Sequence, residues 1–347
     1  MEFLVINKIK GMRFPFKSYL SKLSFELGKN PRNEKRNDWQ RFIPEGKKAV
    51  LIISADFELA WAFRFTKGVK NPIKYSEEKA RQARKNFPQI LHLCEQYNIP
   101  VTWATVGHLF LDSCQKENGL AHPGIKRIAH FESPYWKFSE GDWFKDDPCS
   151  NIDENPEWYA PDLIDRIIKS PVKHEIGSHT FSHLDCRETV CSKEVFESEL
   201  NECKKLARGK NIELKSFVYP GHTFGNQQYL KSLGFTSYRN NMQNAIGYPY
   251  QDEYGTWVHK STTEFSLRTN WSINYHIYRY KKMVDRAIKN KAVLHFWFHP
   301  SFEEEIPALI LPALFKYINQ KRADIFITTM GEYTDWLIKN SKDKHNA

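Results

Sequence analysis

The chain has 347 residues, 41% of them apolar and 14% aromatic, with ten Trp: enough for one large α/β domain with insertions, and rich in rings that suit carbohydrate or other ring-shaped ligands. A formal net charge of +10 favours acidic partners such as phosphate-bearing carriers or anionic lipid surfaces. The basic residues are dispersed and no recognition motif accompanies them, so nucleic acid is not an expected partner.

The six cysteines, Cys94, Cys114, Cys149, Cys186, Cys191 and Cys203, lack the dense spacing of a stapled secreted domain and read as mostly free thiols in a reducing compartment. The start has no apolar stretch of signal-peptide length, and nowhere is there the roughly 18-residue apolar run of a membrane span, so a cytoplasmic location is expected. In the basic N-terminal extension, residues 1–46, Phe14, Phe16, Tyr19, Leu20, Leu23 and Phe25 are interleaved with Lys17, Lys22 and Lys29. A helix packed on the domain is the first reading, and peripheral contact with an anionic bilayer the alternative.

The main body, residues 47–340, opens with the apolar run Ala49–Ala55, a strand covered on both faces whose C-terminal end carries Asp56-Phe57-Glu58. A helix over 77–97, with Phe87, Ile90, Leu91 and Cys94 on one face, leads to a strand over 101–107. Between 110 and 173 the alternation lapses into an insertion rich in Trp, Tyr, Pro and Asp, too aromatic for a linker and expected to fold over the mouth of the domain. Strand 175–178 then precedes His179-Thr180-Phe181-Ser182-His183. Helix 193–208, strand 216–220, helix 226–233, strand 236–239, strand 292–300, helix 307–320, strand 325–329 and helix 331–340 follow, before the polar tail 341–347. Repeated βα units imply parallel strands, and about seven closing on themselves make a distorted (βα)7-type barrel with its site at the strand C-terminal ends. Asp56, His179, Pro220 and His299 all fall at such ends.

Two His at i and i+4 and one carboxylate from another strand make a three-ligand cation site that leaves a position for water. Residues two apart in a strand face the same side, so Asp56 and Glu58 can both reach the site, one binding metal while the other stays free as a base. On the late strand, His295, Trp297 and His299 share one face.

These residues resemble the polysaccharide deacetylases with a NodB-like domain, carbohydrate esterase family four, over about residues 47–340. Ser54-Ala55-Asp56-Phe57-Glu58 looks like a D-x-E form of the family's first motif, and Glu175-Ile176-Gly177-Ser178-His179-Thr180-Phe181-Ser182-His183 matches its second closely. The resemblance implies Asp56 as catalytic base, and Glu58, His179 and His183 as ligands of a divalent metal, zinc first. It implies a general acid in the last motif, with His299 ranked ahead of His295 for its place at the strand end. The third motif departs: where the family has an Arg two positions before the Pro, Ser216-Phe217-Val218-Tyr219-Pro220-Gly221-His222 has Val218. The base therefore needs another holder, with His222, Tyr219, Arg239 and Arg268 as candidates. Tyr219, Pro220, His222 and Trp297 are the expected substrate-binding residues, and Trp61, Phe63, Trp136, Trp143 and Trp158 either stack on sugar rings or fill the core. Asp185 is either a partner orienting a ligand His or a loop acid.

The implied activity is removal of an N-acyl group, N-acetyl first, from an amino sugar in a polysaccharide or a lipid- or nucleotide-linked glycan precursor. The alternatives are an amidase or deformylase on a non-sugar substrate, an O-acetyl substrate, and a catalytically degenerate carbohydrate-binding barrel motivated by the missing Arg.

Overall fold

The computed structural model describes residues 14–241 and 244–343; the first part of the N-terminal extension, residues 1–13, and residues 344–347 of the polar tail lie outside the described residues, as do the side chains of Phe14, Phe16 and Lys17. Strand β1, Ala49–Phe57, is buried at all nine positions. Its sequence offers no polar face to water, so it is stable only where neighbours cover both sides, as in the centre of a parallel α/β array.

The strands that build the main sheet with it include β2 (Thr102–Thr105), β3 (Glu175–Ser178), β4 (Ser216–Val218), β5 (Ser237–Asn240), β6 (Trp257–Lys260), β7 (Thr263–Glu264), β8 (Val293–Phe298) and β9 (Ile325–Thr328). Parallel pairing runs β5-β4-β3-β2-β1-β8. One extended segment closes the ring: its first half, β6, pairs with β5, and its second half, β7, pairs with β8. The partner change falls at Ser261 and Thr262, whose N–H groups donate to Asn240 and His295. The barrel expected from the alternation of elements is present, with one membership changed. Segment 257–264 completes the ring, while β9 shares an edge of β1 with β2, taking residues 49–52 and leaving 54–57 to β2.

Helix α1 spans Phe14–Glu26, α2 Pro72–Tyr97, α3 Pro161–Lys169, α4 Lys193–Gly209 and α5 Gln227–Leu230; α6 spans Ile273–Asn290, α7 Leu311–Gln320 and α8 Met330–Asp343. Helix α2 starts earlier than the expected 77 because Asn71 caps it, accepting from the Lys74 N–H, and Pro72 supplies a first-turn φ with no N–H to satisfy. Ala80, Ala83, Phe87, Ile90, Leu91 and Cys94 form its buried stripe. Helix α1 rests on α6: Trp271 donates to Ser18, Tyr278 to Glu26, and Lys22 sits 4.6 Å from the Tyr275 ring centre. No helix among the described residues is long and apolar enough to cross a membrane.

The insertion holds two short hairpins, Lys116–Glu117 with Leu120–Ala121 and Phe131–Glu132 with Lys137–Phe138, ahead of α3. It reaches the mouth of the barrel through Trp136, whose ring centre lies 5.1 Å from that of His183.

Candidate active site

The His179–His183 loop leaves β3 in a shape that no single helical turn provides. His179 still pairs with β2, its N–H donating to Thr105 O, but Thr180 (φ 58°) and His183 (φ 56°) both adopt the left-handed region. For a β-branched Thr that conformation is strained, and such strain persists only where surroundings over-determine it. The clamps are on Ser182: its N–H and hydroxyl donate to Glu199 of α4 at 2.9 and 2.5 Å, its hydroxyl accepts from Trp143 Nε1 at 2.7 Å, and its carbonyl accepts from buried Arg64 at 3.0 Å. The loop is held so that both imidazoles turn inward, with ring centres 5.1 Å apart.

Glu58 Oε2 lies 3.1 Å from His179 Nε2 and 3.0 Å from His183 Nε2, and all three side chains are buried. His179 Nδ1 faces the Val218 carbonyl at 2.8 Å, an acceptor only, so that nitrogen carries the proton and Nε2 of the neutral ring presents a lone pair to a carboxylate oxygen. Two acceptors at this distance repel unless a proton or a cation lies between them. The donor set of two imidazoles and one carboxylate therefore fits a divalent first-row ion.

Asp56 is separate from that trio. Arg239 of β5 brings NH2 to Asp56 Oδ2 and NH1 to Oδ1, each at 2.7 Å, with the guanidinium itself fully buried. Burial alone would raise the Asp56 pKa, but Arg239, followed by His179, outweighs it and holds the carboxyl below its usual range. Arg239 is the register partner of Val218 on β4. The guanidinium absent from the third motif thus enters one strand over, at the same height of the barrel. Arg268 takes no part, lying instead over the Trp271 ring.

His299 lies just past β8, where its Nε2 is 3.2 Å from Glu58 Oε1 and 3.9 Å from Asp56 Oδ2, and its Nδ1 is 3.0 Å from Glu264 Oε1. Burial lowers its pKa, but Glu58, then Glu264 and Asp56, more than offset that and raise it to about 9. His295, the second candidate acid, is placed differently. It is fully buried within β8, bonded to Ser54 Oγ at 2.8 Å, and burial followed by the charge of Arg239 keeps its pKa well below the ordinary value. A ring held neutral there is a poor proton donor; since Ser54 also accepts from Arg239 NH1 at 2.9 Å, His295 supports the guanidinium from behind.

Of the expected substrate-binding residues, Trp297 and His222 form one wall, ring centres 5.6 Å apart, with Arg239 over the Trp297 ring at 4.8 Å. The Tyr219 side chain is instead buried among Phe217, Phe224 and Tyr238, and Pro220 is buried beside it, so their side chains do not line the mouth. Gly221 (φ 53°) passes so close to Trp136 that a Cβ there would fall 2.3 Å from its ring, which seats the indole over the site. Trp61, Trp143 and Trp158 are core residues, at most 2% exposed, whereas Phe63 is partly exposed with its ring 6.3 Å from His299. Asp185 is buried and taken up by Arg187, not by a ligand His. Glu264 and Glu199 stand in no motif, and Glu264 sits on β7, a short strand without apolar alternation; Ser54 stands in the first motif with no role read for it there.

Residues 78–238 match the family model for polysaccharide deacetylases, which supports a hydrolase of the deacetylase type. The matched stretch contains His179, His183 and Arg239's strand neighbour Tyr238; Asp56, Glu58 and His299 join it through the fold. Two similar solved structures are a Mycobacterium smegmatis protein named as a polysaccharide deacetylase (12% identity, TM-score 0.58, covering 86% of this chain and 93% of that one) and a Pseudomonas aeruginosa PAO1 protein named likewise (12%, 0.57, 85% and 92%). The Puue allantoinase is similar to the same extent (13%, 0.56, 85% and 92%). At these identities the likeness is one of fold. No curated protein matches the sequence.

Proposed function

We propose that the chain is a metal-dependent deacetylase that removes an N-acyl group, acetyl first, from an amino sugar of a glycan. The observation that carries this reading is the division of the two acids: Glu58 faces two imidazoles at 3.0 and 3.1 Å, while Asp56, two residues away, is held by Arg239. Glu58, His179 and His183 would hold the ion, which when bound supplies Lewis acidity to the acyl carbonyl and to water. Asp56, kept ionised by Arg239, takes the proton from the attacking water. His299, kept protonated by Glu264 on its far nitrogen, delivers a proton to the departing amine. Trp297, His222, Trp136 and Phe63 offer rings to the sugar faces. The contact of Arg239 with Asp56 supports a working site over a degenerate barrel, because the cation that Val218 lacks is present beside the acid.

The test is acetate release from N-acetylglucosamine oligomers by metal-loaded protein, by chelated protein, and by chelated protein given zinc again. Release that is lost on chelation and restored by zinc supports the reading. Release from a small non-sugar amide but from no N-acetylated sugar would move the substrate to the amidase alternative, and release indifferent to metal would overturn the reading.

A further inference from the structure

A second cluster of metal-ligating side chains lies outside the catalytic trio, and the proposed activity uses none of it. His108 follows β2, and Cys114, His122 and Asp147 belong to the insertion; one donor atom from each falls within 4.8 Å of all the others. Asp147 Oδ2 is 3.1 Å from His108 Nε2 and 2.7 Å from His122 Nε2, and Cys114 Sγ is 3.6 Å from His108 Nε2 and 3.6 Å from Asp147 Oδ1. The side chains of His108 and Asp147 are fully buried, and that of His122 is 10% exposed.

One of these contacts, that between His108 and Asp147, is not a hydrogen bond when the ring is neutral. His108 Nδ1 faces the Trp158 carbonyl at 3.2 Å and must donate to it, so in the neutral ring Nε2 turns a lone pair toward both the Asp147 carboxylate and the Cys114 sulfur. Among the described residues no Lys or Arg forms an ion pair with Asp147, which also accepts from the Cys149 backbone N–H at 2.9 Å. His108 thus turns a lone pair, not a proton, toward a buried carboxylate at 3.1 Å, a contact that a cation between the two would make favourable. A dication would meet one carboxylate and one thiolate and leave the centre neutral. The shell is aromatic, with the His108 ring against Trp61 and Tyr159, and the His122 ring against Phe144 and Phe181. The His108 Nδ1 contact to a backbone carbonyl is the outer-shell support that metal-binding imidazoles ordinarily have.

We propose that His108, Cys114, His122 and Asp147 form a second divalent-metal site, structural and selective for zinc, that staples the insertion to the barrel. Two imidazoles, one thiolate and one carboxylate make a closed four-coordinate set of the type zinc favours, with no place left for substrate. The staple sits beside the catalytic loop: Gly107 and His108 donate their N–H groups to the carbonyls of Thr180 and Phe181. Fixing His108 therefore also fixes the backbone between His179 and His183.

The two centres are separable because the catalytic trio contains no thiol. Full-length protein carrying His179→Ala and His183→Ala is predicted to retain one tightly held zinc per chain, and adding Cys114→Ser or His122→Ala to remove it. Reconstituted with cobalt(II), the double variant is predicted to show a thiolate-to-cobalt charge-transfer band that disappears with Cys114→Ser and persists with Cys149→Ser. A folded double variant that binds neither zinc nor cobalt would overturn the proposal. So would a charge-transfer band unaffected by Cys114→Ser, or a disulfide between Cys114 and Cys149 in protein purified without oxidant. Wild-type protein loaded with cobalt carries the same band and tests the proposal even if the multiple variants fail to fold.

Discussion

Arg239 closes on Asp56 from a strand 183 positions away in sequence, one guanidinium nitrogen on each carboxylate oxygen at 2.7 Å. Arg239 is the register partner of Val218, the position from which the resemblance leads one to expect this cation. Arg239→Ala leaves a buried carboxylate unpaired and is expected to destabilise the fold by about 3–5 kcal/mol. Arg239→Lys keeps charge but loses the two-point grip, and kcat should fall on the order of 10²-fold. Activity needs ionised Asp56 and is lost as pH falls through its depressed pKa; weaker pairing raises that pKa, so the acid limb of the pH profile should move to higher pH. The swap Val218→Arg with Arg239→Val should recover part of the lost kcat. An unchanged acid limb in Arg239→Lys would contradict the pairing.

Glu264 makes an equally specific demand on the alkaline limb. His299 must be protonated to act as an acid, and its pKa, raised to about 9 by Glu58, Glu264 and Asp56 against the effect of burial, sets where that form is lost as pH rises. Glu264→Gln keeps an acceptor for Nδ1 but removes the charge. Its alkaline limb should therefore begin at lower pH, with kcat near neutral pH changed less than about tenfold. A pH–rate profile superimposable on wild type would show that Glu264 does not tune His299.

Glu199 predicts a pH dependence of stability instead of rate. Burial raises its pKa to about 6 from 4.5, against the two hydrogen bonds from Ser182. The folded state thus holds this proton more tightly than the unfolded state does. Its contribution is fully present below pH 4.5 and is lost as pH rises through about 6, a change of about 2 kcal/mol. Glu199→Gln cannot ionise, so the stability difference between variant and wild type should shift by that amount between pH 4 and pH 7 in denaturant titrations. Parallel pH dependences would contradict the assignment.

What the sequence made legible was local. The apolar run Ala49–Ala55 of β1 and the His pair after Gly177-Ser178 announce themselves because strand burial and ligand spacing are short-range patterns. Segment 257–264 does not, because His259, Lys260, Ser261 and Thr262 interrupt any apolar alternation even though the barrel buries most of them. Helix α6 is equally hard to read, its apolar spacing diluted by Tyr275, Tyr278, Arg279 and Lys281–Lys282. The Arg239–Asp56 contact depends on the register of β4 and β5, and the cluster at His108 on how an irregular insertion folds back; neither has a spacing to read.

The central claim is that Asp56 handles the water's proton while Glu58, His179 and His183 hold the ion. The most direct test is acetate release from an N-acetylglucosamine oligomer by metal-loaded wild type and Asp56→Asn, with bound metal measured in both. The account predicts equal metal content and a loss of about 10²–10⁴-fold in turnover for Asp56→Asn. Turnover by Asp56→Asn equal to that of an active wild type, or loss of the ion together with the activity, would contradict it.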